Sequence, residues 1–184
     1  MARVPYISRA GLPDDKQAIY DKIASTRGTA PNVFRALMNS PDVTEVVAAV
    51  GEYLRYNCPI DPKIRETAIL ATAREMNNQY EWSQHEPIAR DVGIRDEVIE
   101  SIHSGKAPMG LPPKEGVFVQ AAREIVKNGM LTDRTFEAIE HLLGRRQTVD
   151  FVVLCGYYSM ISRCIHSLGV ELDEGLEPTL QLSK

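Results

Sequence analysis

Apolar residues recur at three- and four-residue spacing along nearly the whole chain, and almost nowhere alternate with period two over a strand's length. Pro, Gly, Asn and Asp punctuate this pattern into helices. Pro13-Asp-Asp opens a helix through Ile23, with acids in its first turn where the helix dipole favours them, and Gly28 closes it. Pro31–Met38 reads as a short helix ended before Pro41. The next runs from Pro41 to Tyr56, amphipathic, with Val46, Val47, Val50 and Leu54 at helical spacing, until Cys58-Pro59 breaks it. Asp61-Pro62 is a strong start signal, an aspartate cap before a proline at the first helical position. That Ala-rich helix runs to about Met76. Another spans Gln79 to Val92 and stops at Gly93, and a short one covers Arg95–Ile102 up to Ser104-Gly105. Beyond the loop Ala107–Pro113, helices are expected at 114–128, 132–143 and 148–168. The acidic tail from Glu171 is expected on the surface or on a partner subunit. The pattern predicts an all-α fold.

A chain of 184 residues is long enough for one domain with a real core. We expect a single domain over 1–184: a helical arm over 1–40, a core over 41–103 and a C-terminal helical half over 114–170. The 43% hydrophobic and 25% charged content is that of an ordinary globular protein. A net charge of −4 without a basic stripe gives no reason to expect a nucleic-acid partner. The start, Met1-Ala-Arg-Val-Pro-Tyr-Ile-Ser-Arg, lacks the apolar segment of a signal peptide. The longest apolar run, Phe151-Val-Val-Leu-Cys-Gly-Tyr-Tyr, is short for a membrane span and reads as core. The three cysteines, Cys58, Cys155 and Cys164, form no Cys-x-x-Cys, so neither a disulfide framework nor a redox dithiol is signalled, and a reducing cytoplasm fits best. Cys155 and Cys164 read as small core hydrophobes on one apolar helix.

The segment Asn78-Asn-Gln-Tyr-Glu-Trp-Ser-Gln-His-Glu-Pro87 concentrates the candidate chemistry. Its Glu81 and His85 are four residues apart, which on a helix means one face and about 5–6 Å between Cβ atoms. A carboxylate beside an imidazole handles protons, or else forms a surface ion pair of little energetic weight. Tyr80 and Trp82, the only tryptophan, suggest a walled, partly dry site and are candidate substrate contacts. Pro87 either kinks the helix between Ser83 and Pro87 or begins a second one with His85 near its start. Glu66 lies on an apolar face with Ile69, Leu70 and Ala73. Burial raises a carboxyl's pKa, which suits an acid or base; the alternative is a core glutamate paired with an arginine such as Arg74. Arg35 and Arg55 either meet an anionic substrate or face solvent. Tyr157 and Tyr158 read as core or interface packing. His103, His141 and His166 lack metal-ligand spacing, so no metal is expected, and no phosphate-cradling loop or Gly-x-Ser-x-Gly occurs.

Three blocks carry a family resemblance: Arg65-Glu66-Thr-Ala-Ile-Leu-Ala-Thr-Ala-Arg, Tyr80-Glu81-Trp82-x-x-His85 and Ile88-Ala89-x-x-x-Gly93. From about Pro41 to His103 the chain resembles the carboxymuconolactone decarboxylase and alkylhydroperoxidase D superfamily, and Pro31-Asn-Val-Phe-Arg-Ala-Leu resembles its longer members. The resemblance implies a helical bundle of about eight to nine helices. In peroxidase-type members a Cys-x-x-Cys precedes the histidine; here those cysteines fall on Asn78 and Glu81, the histidine on His85 and an early glutamate on Glu66. Without a thiolate nucleophile that dithiol chemistry is unavailable. Decarboxylase-type members carry a glutamate four residues before the histidine, as Glu81 and His85 are placed. The resemblance therefore implies cofactor-free acid/base chemistry on a small carboxylated, lactone-like or carbonyl compound. His85 would be the general acid/base, Glu81 would set its charge and tautomer, and Glu66 would be a buried second acid or orienter. It also implies a homo-oligomer, a trimer or hexamer, with a small molecule as its partner. A non-catalytic oligomer that binds a small ligand, and a peroxidase-related protein with an altered mechanism, are the competing readings.

Overall fold

The computed structural model describes residues 1–182. Among these there is no strand, and eight α-helices carry the fold: α1 (Gln17–Arg27), α2 (Asn32–Leu37), α3 (Pro41–Glu52), α4 (Pro62–Glu75), α5 (Gln79–Asp91), α6 (Asp96–His103), α7 (Pro113–Asn128) and α8 (Asp133–Leu168). The expected all-helical class holds. The chain groups into two compact units.

The first unit comprises Met1–Asn57 and Arg163–Leu176. Gly28, left-handed at φ 76°, closes α1 as its position suggested. Helix α3 buries Thr44, Ala48 and Gly51, and the π-helical turn Tyr53–Asn57 buries Leu54. Val46 and Val50, at helical spacing with Leu54, are instead 65% and 38% exposed. The reason is close approach: α3 meets α1 and α2 through its small side chains, which leaves the valine stripe on the other face. The segment after α8 is tied in by hydrogen bonds, from the Arg3 amide to the Leu168 carbonyl and from the Asn32 amide to the Asp173 carboxylate, both 2.7 Å.

The second unit comprises Cys58–Ser162 and the chain from Glu177 onward. Helix α4 is its centre, packed by α5, α6 and α7. Every residue from Glu66 to Ala73 is buried, so α4 has no solvent face to write in polar residues, and small side chains admit its neighbours. It begins as the sequence indicated: Pro62 is its first residue and the Asp61 carboxylate accepts from the Lys63 amide at 2.7 Å. The Arg74 guanidinium donates to the His103 carbonyl at 2.7 Å, tying α4 to the end of α6. A Cβ at Gly105 (φ 67°) would lie 2.8 Å from that guanidinium, so the turn after α6 accepts only glycine without rearrangement. Across the Pro108–Pro113 loop, α7 returns to pack on α4 within the same unit.

Helix α8 is broken at Gly144 (φ 74°, ψ 161°), where the pattern had left a gap after Leu143. By length and composition it is apolar enough to cross a membrane, yet more than half of its most apolar stretch is buried inside the fold. The described tail, 171–182, is mostly exposed, as expected, and from Glu177 onward it is also bonded to α5. Ser83 donates to the Glu177 carbonyl and Thr179 to the Glu86 carboxylate, both at 2.7 Å, and Leu180 is buried.

Candidate functional site

Two asparagines turn the chain between α4 and α5. Asn77 takes the left-handed conformation (φ 54°), and the Asn77 and Asn78 amides donate to the Arg74 and Ala73 carbonyls at 3.1 and 2.8 Å, which closes α4. The Asn78 side chain then accepts from the Glu81 amide at 3.2 Å and opens α5. This short hairpin lays α5 against α4. At the other end Gly93 (φ 82°) stops α5, its amide donating to the Arg90 carbonyl and that of Ile94 to the Ala89 carbonyl. Pro87 lies inside an unbroken α5. Of the two readings of that proline, the continuous helix is the one observed. Having no N–H, Pro87 offers no amide to the Ser83 carbonyl one turn earlier.

The hairpin brings Glu66 and His85 together. Glu66 Oε2 lies 2.7 Å from His85 Nδ1, with side chains 1% and 3% exposed. Arg65 Nε donates to the other Glu66 oxygen at 3.2 Å. On the far side of the ring, Glu81 Oε2 lies 3.6 Å from Nε2 and the Tyr158 hydroxyl 3.3 Å from it. The Tyr158 ring stands perpendicular to the imidazole at a centroid distance of 5.2 Å. Burial pushes the Glu66 carboxyl up, but the His85 charge and the hydrogen bonds from His85 and Arg65 outweigh it and hold Glu66 below the usual carboxylate range. Glu66 is therefore the ionised anchor of the cluster. Its alternative partner, Arg74, is engaged at His103 instead.

The expected residues separate into two groups. Glu66, Glu81 and His85 converge. Trp82 is fully buried, but its indole N–H donates to Glu86 at 3.0 Å and its ring meets His103 edge-on at 5.4 Å. Tyr80 is buried on the same helix. Arg35 belongs to the first unit, where its guanidinium donates to Asn32 and lies 5.5 Å from the Tyr6 ring centre. Tyr158, read from the sequence as core or interface packing, is buried, but its contact with His85, 73 positions away, had no local signal. Sequence reasoning missed the Asn78 cap, although Asn78-x-x-Glu81 has the spacing of a capping box. A cavity of about 490 Å3 lies elsewhere, on the Ile64 and Thr67 side of α4, and none of the three acid/base residues lines it.

Two other chemistries can be weighed on the side chains present. The two carboxylates meet His85 at opposite ring nitrogens, not at one point. Among the described residues no group of three or more His, Cys, Asp or Glu side chains is arranged to hold a metal ion. Burial pushes the Cys155 thiol up to about 12, and pushes Cys58 and Cys164 up as well, so none is prepared as a thiolate.

Comparison with known proteins adds a family similarity over part of the chain and a fold. The carboxymuconolactone decarboxylase family matches residues 41–124. Similar solved structures include an uncharacterized peroxidase-related protein with an alkylhydroperoxidase AhpD core from Ralstonia eutropha JMP134 (20% identity, TM-score 0.78, covering 94% of this chain and 93% of that one). An uncharacterized peroxidase-related protein from Silicibacter sp. TM1040 is 16% identical, with TM-score 0.73 and 97% and 94% coverage. A variant of the debrominase Bmp8 in complex with 2,3,4-tribromopyrrole is 10% identical, with TM-score 0.75 and 93% and 91% coverage. The curated proteins give no match. Residues 41–124, which supply Glu66, Glu81 and His85, are thus similar to the carboxymuconolactone decarboxylase family, and the fold is that of the alkylhydroperoxidase D-like structures.

Proposed function

We propose that this protein is a cofactor-independent acid/base enzyme that moves a proton on a small carboxylated, lactone-like or carbonyl compound. The observation that carries the reading is the buried contact of 2.7 Å between Glu66 and His85 Nδ1. An ionised Glu66 accepts the Nδ1 proton, fixes the tautomer and leaves Nε2 as the exchanging nitrogen. It also stabilises the imidazolium whenever Nε2 takes up a proton. Glu81, 3.6 Å from Nε2, adds to that stabilisation from the other side. In a decarboxylation, the bond to the leaving carboxylate breaks, its electron pair enters a conjugated enolate, and CO2 departs. A proton that Nε2 has taken up from solvent then passes to carbon, which returns the ring to its neutral form with the remaining proton on Nδ1. Such proton transfer contributes about 10²–10⁴ in rate. The debrominase neighbour holds a small halogenated pyrrole, which supports a compact ring as a ligand for this fold.

The cysteines separate this reading from its rival. Peroxide chemistry is favoured by the two peroxidase-related neighbours, but it needs a thiolate, and burial works against one at each cysteine here. Turnover should survive replacement of Cys58, Cys155 and Cys164 by serine and fall at least about 100-fold in His85→Gln. Turnover lost on Cys58→Ser and retained in His85→Gln would reverse the assignment. A homo-oligomer, a trimer or hexamer of the 20.5 kDa chain, belongs to the same proposal. The exposed stripe of Val149, Val152, Val153 and Met160 on α8 supports it, and light scattering tests it.

A further inference from the structure

The two nitrogens of His85 are held unequally. Nδ1 has a short contact of 2.7 Å to Glu66. Nε2 has the Tyr158 hydroxyl at 3.3 Å and Glu81 at 3.6 Å, both longer than a well-formed hydrogen bond. One side of the ring is anchored and the other is poised. Contacts of this length at a proton-transferring nitrogen tighten when a reacting group arrives. Tyr158 is only 4% exposed, so its hydroxyl is removed from bulk water. Its ring stands edge-on to both the imidazole and the Tyr157 ring, at centroid distances of 5.2 and 5.4 Å. The line Glu66–His85–Tyr158 thus joins α4, α5 and α8, three helices that meet through one imidazole.

We propose that Tyr158 is a positioning residue for His85: its hydroxyl donates to the bare Nε2 of the resting site, keeps the ring proton on Nδ1, and gives up that nitrogen to an incoming substrate. This rests on the reading of His85 as the acid/base and extends it. Once displaced, the hydroxyl remains beside the reacting carbon as a neutral donor. That placement suits a substrate with an oxygen next to that carbon, as in a lactone or an enolisable carbonyl. The groups that set the ring's charge are Glu66, with Arg65 behind it, from α4, Glu81 from α5, and Tyr158 from α8.

The test needs no substrate. The full-length protein is labelled with ¹⁵N-histidine, and the His85 resonances are assigned by their loss in His85→Gln. Tyr158→Phe should move the His85 Nε2 resonance toward that of an unbonded imine nitrogen. Tyr157→Phe, which removes a hydroxyl from the neighbouring ring, should leave that resonance unchanged. A folded Tyr158→Phe protein with an unaltered Nε2 resonance overturns the proposal. If that variant fails to fold, 3-fluorotyrosine at position 158, nearly isosteric and more acidic, must still move the resonance, and no movement overturns it equally. Either result leaves the dependence of turnover on His85 as a separate question.

Discussion

Glu66 Oε2 and His85 Nδ1 lie 2.7 Å apart across the hairpin of α4 and α5, with both side chains out of solvent. A carboxylate in that position is costly unless paired, and its pairs are His85 and Arg65. Glu66→Ala leaves two cationic or polar partners unanswered in the core and should cost about 3–5 kcal/mol, read by denaturant unfolding. The pH dependence has a definite sign. Because Glu66 sits below its ordinary value of 4.5, its contribution is fully present above that pH and is lost as the pH falls through the folded value. The wild type should therefore lose stability steeply below about pH 4.5, and the acid limb should be shallower in Glu66→Gln.

The thiols give a second prediction. With Cys155 pushed up to about 12 and Cys58 and Cys164 raised by burial, the folded protein should react with a thiol reagent at pH 7 far more slowly than a free cysteine. Unfolding in denaturant should release all three. Rapid labelling of one thiol in the native protein would show a reactive cysteine and favour the peroxidase-related reading.

Asn78 caps α5. Asn78→Ala should lower stability by about 1 kcal/mol, and Asn78→Ser should recover most of it, as measured by thermal unfolding. Equal losses in both would mean that packing, not the cap, sets the cost.

The tail yields a fourth. Thr179 donates to Glu86, which also accepts from the Trp82 indole, so the strap and the lone tryptophan share one carboxylate. Ending the chain at Leu176 removes this bond and the burial of Leu180, which should cost about 2–3 kcal/mol. It should also shift Trp82 emission to the red. An unshifted spectrum in a folded truncated protein would contradict the strap.

Legibility followed the range of the physics. Asp61-Pro62 and Gly93 set helix ends through bonds to neighbouring residues, so the start of α4 and the end of α5 could be read directly. Glu66 was legible because a carboxylate among Ile69, Leu70 and Ala73 is a local anomaly. Its partner was not fixed by spacing, and the hairpin at Asn77–Asn78 chose His85 over Arg74. Tyr158 and Thr179 reach α5 from positions 73 and 93 residues away, and no local pattern encodes such contacts. The valines of α3 misled because hydrophobic spacing marks two faces when small residues line the closer one.

The central claim is that His85 moves a proton to and from carbon. The most direct measurement is deuterium uptake from D2O into a panel of small lactones and enolisable carbonyl compounds, followed by NMR. The account predicts uptake at the carbon beside the carbonyl with the wild type and the cysteine-free variant, and a loss of at least about 100-fold in His85→Gln. Uptake that persists undiminished in His85→Gln would contradict it.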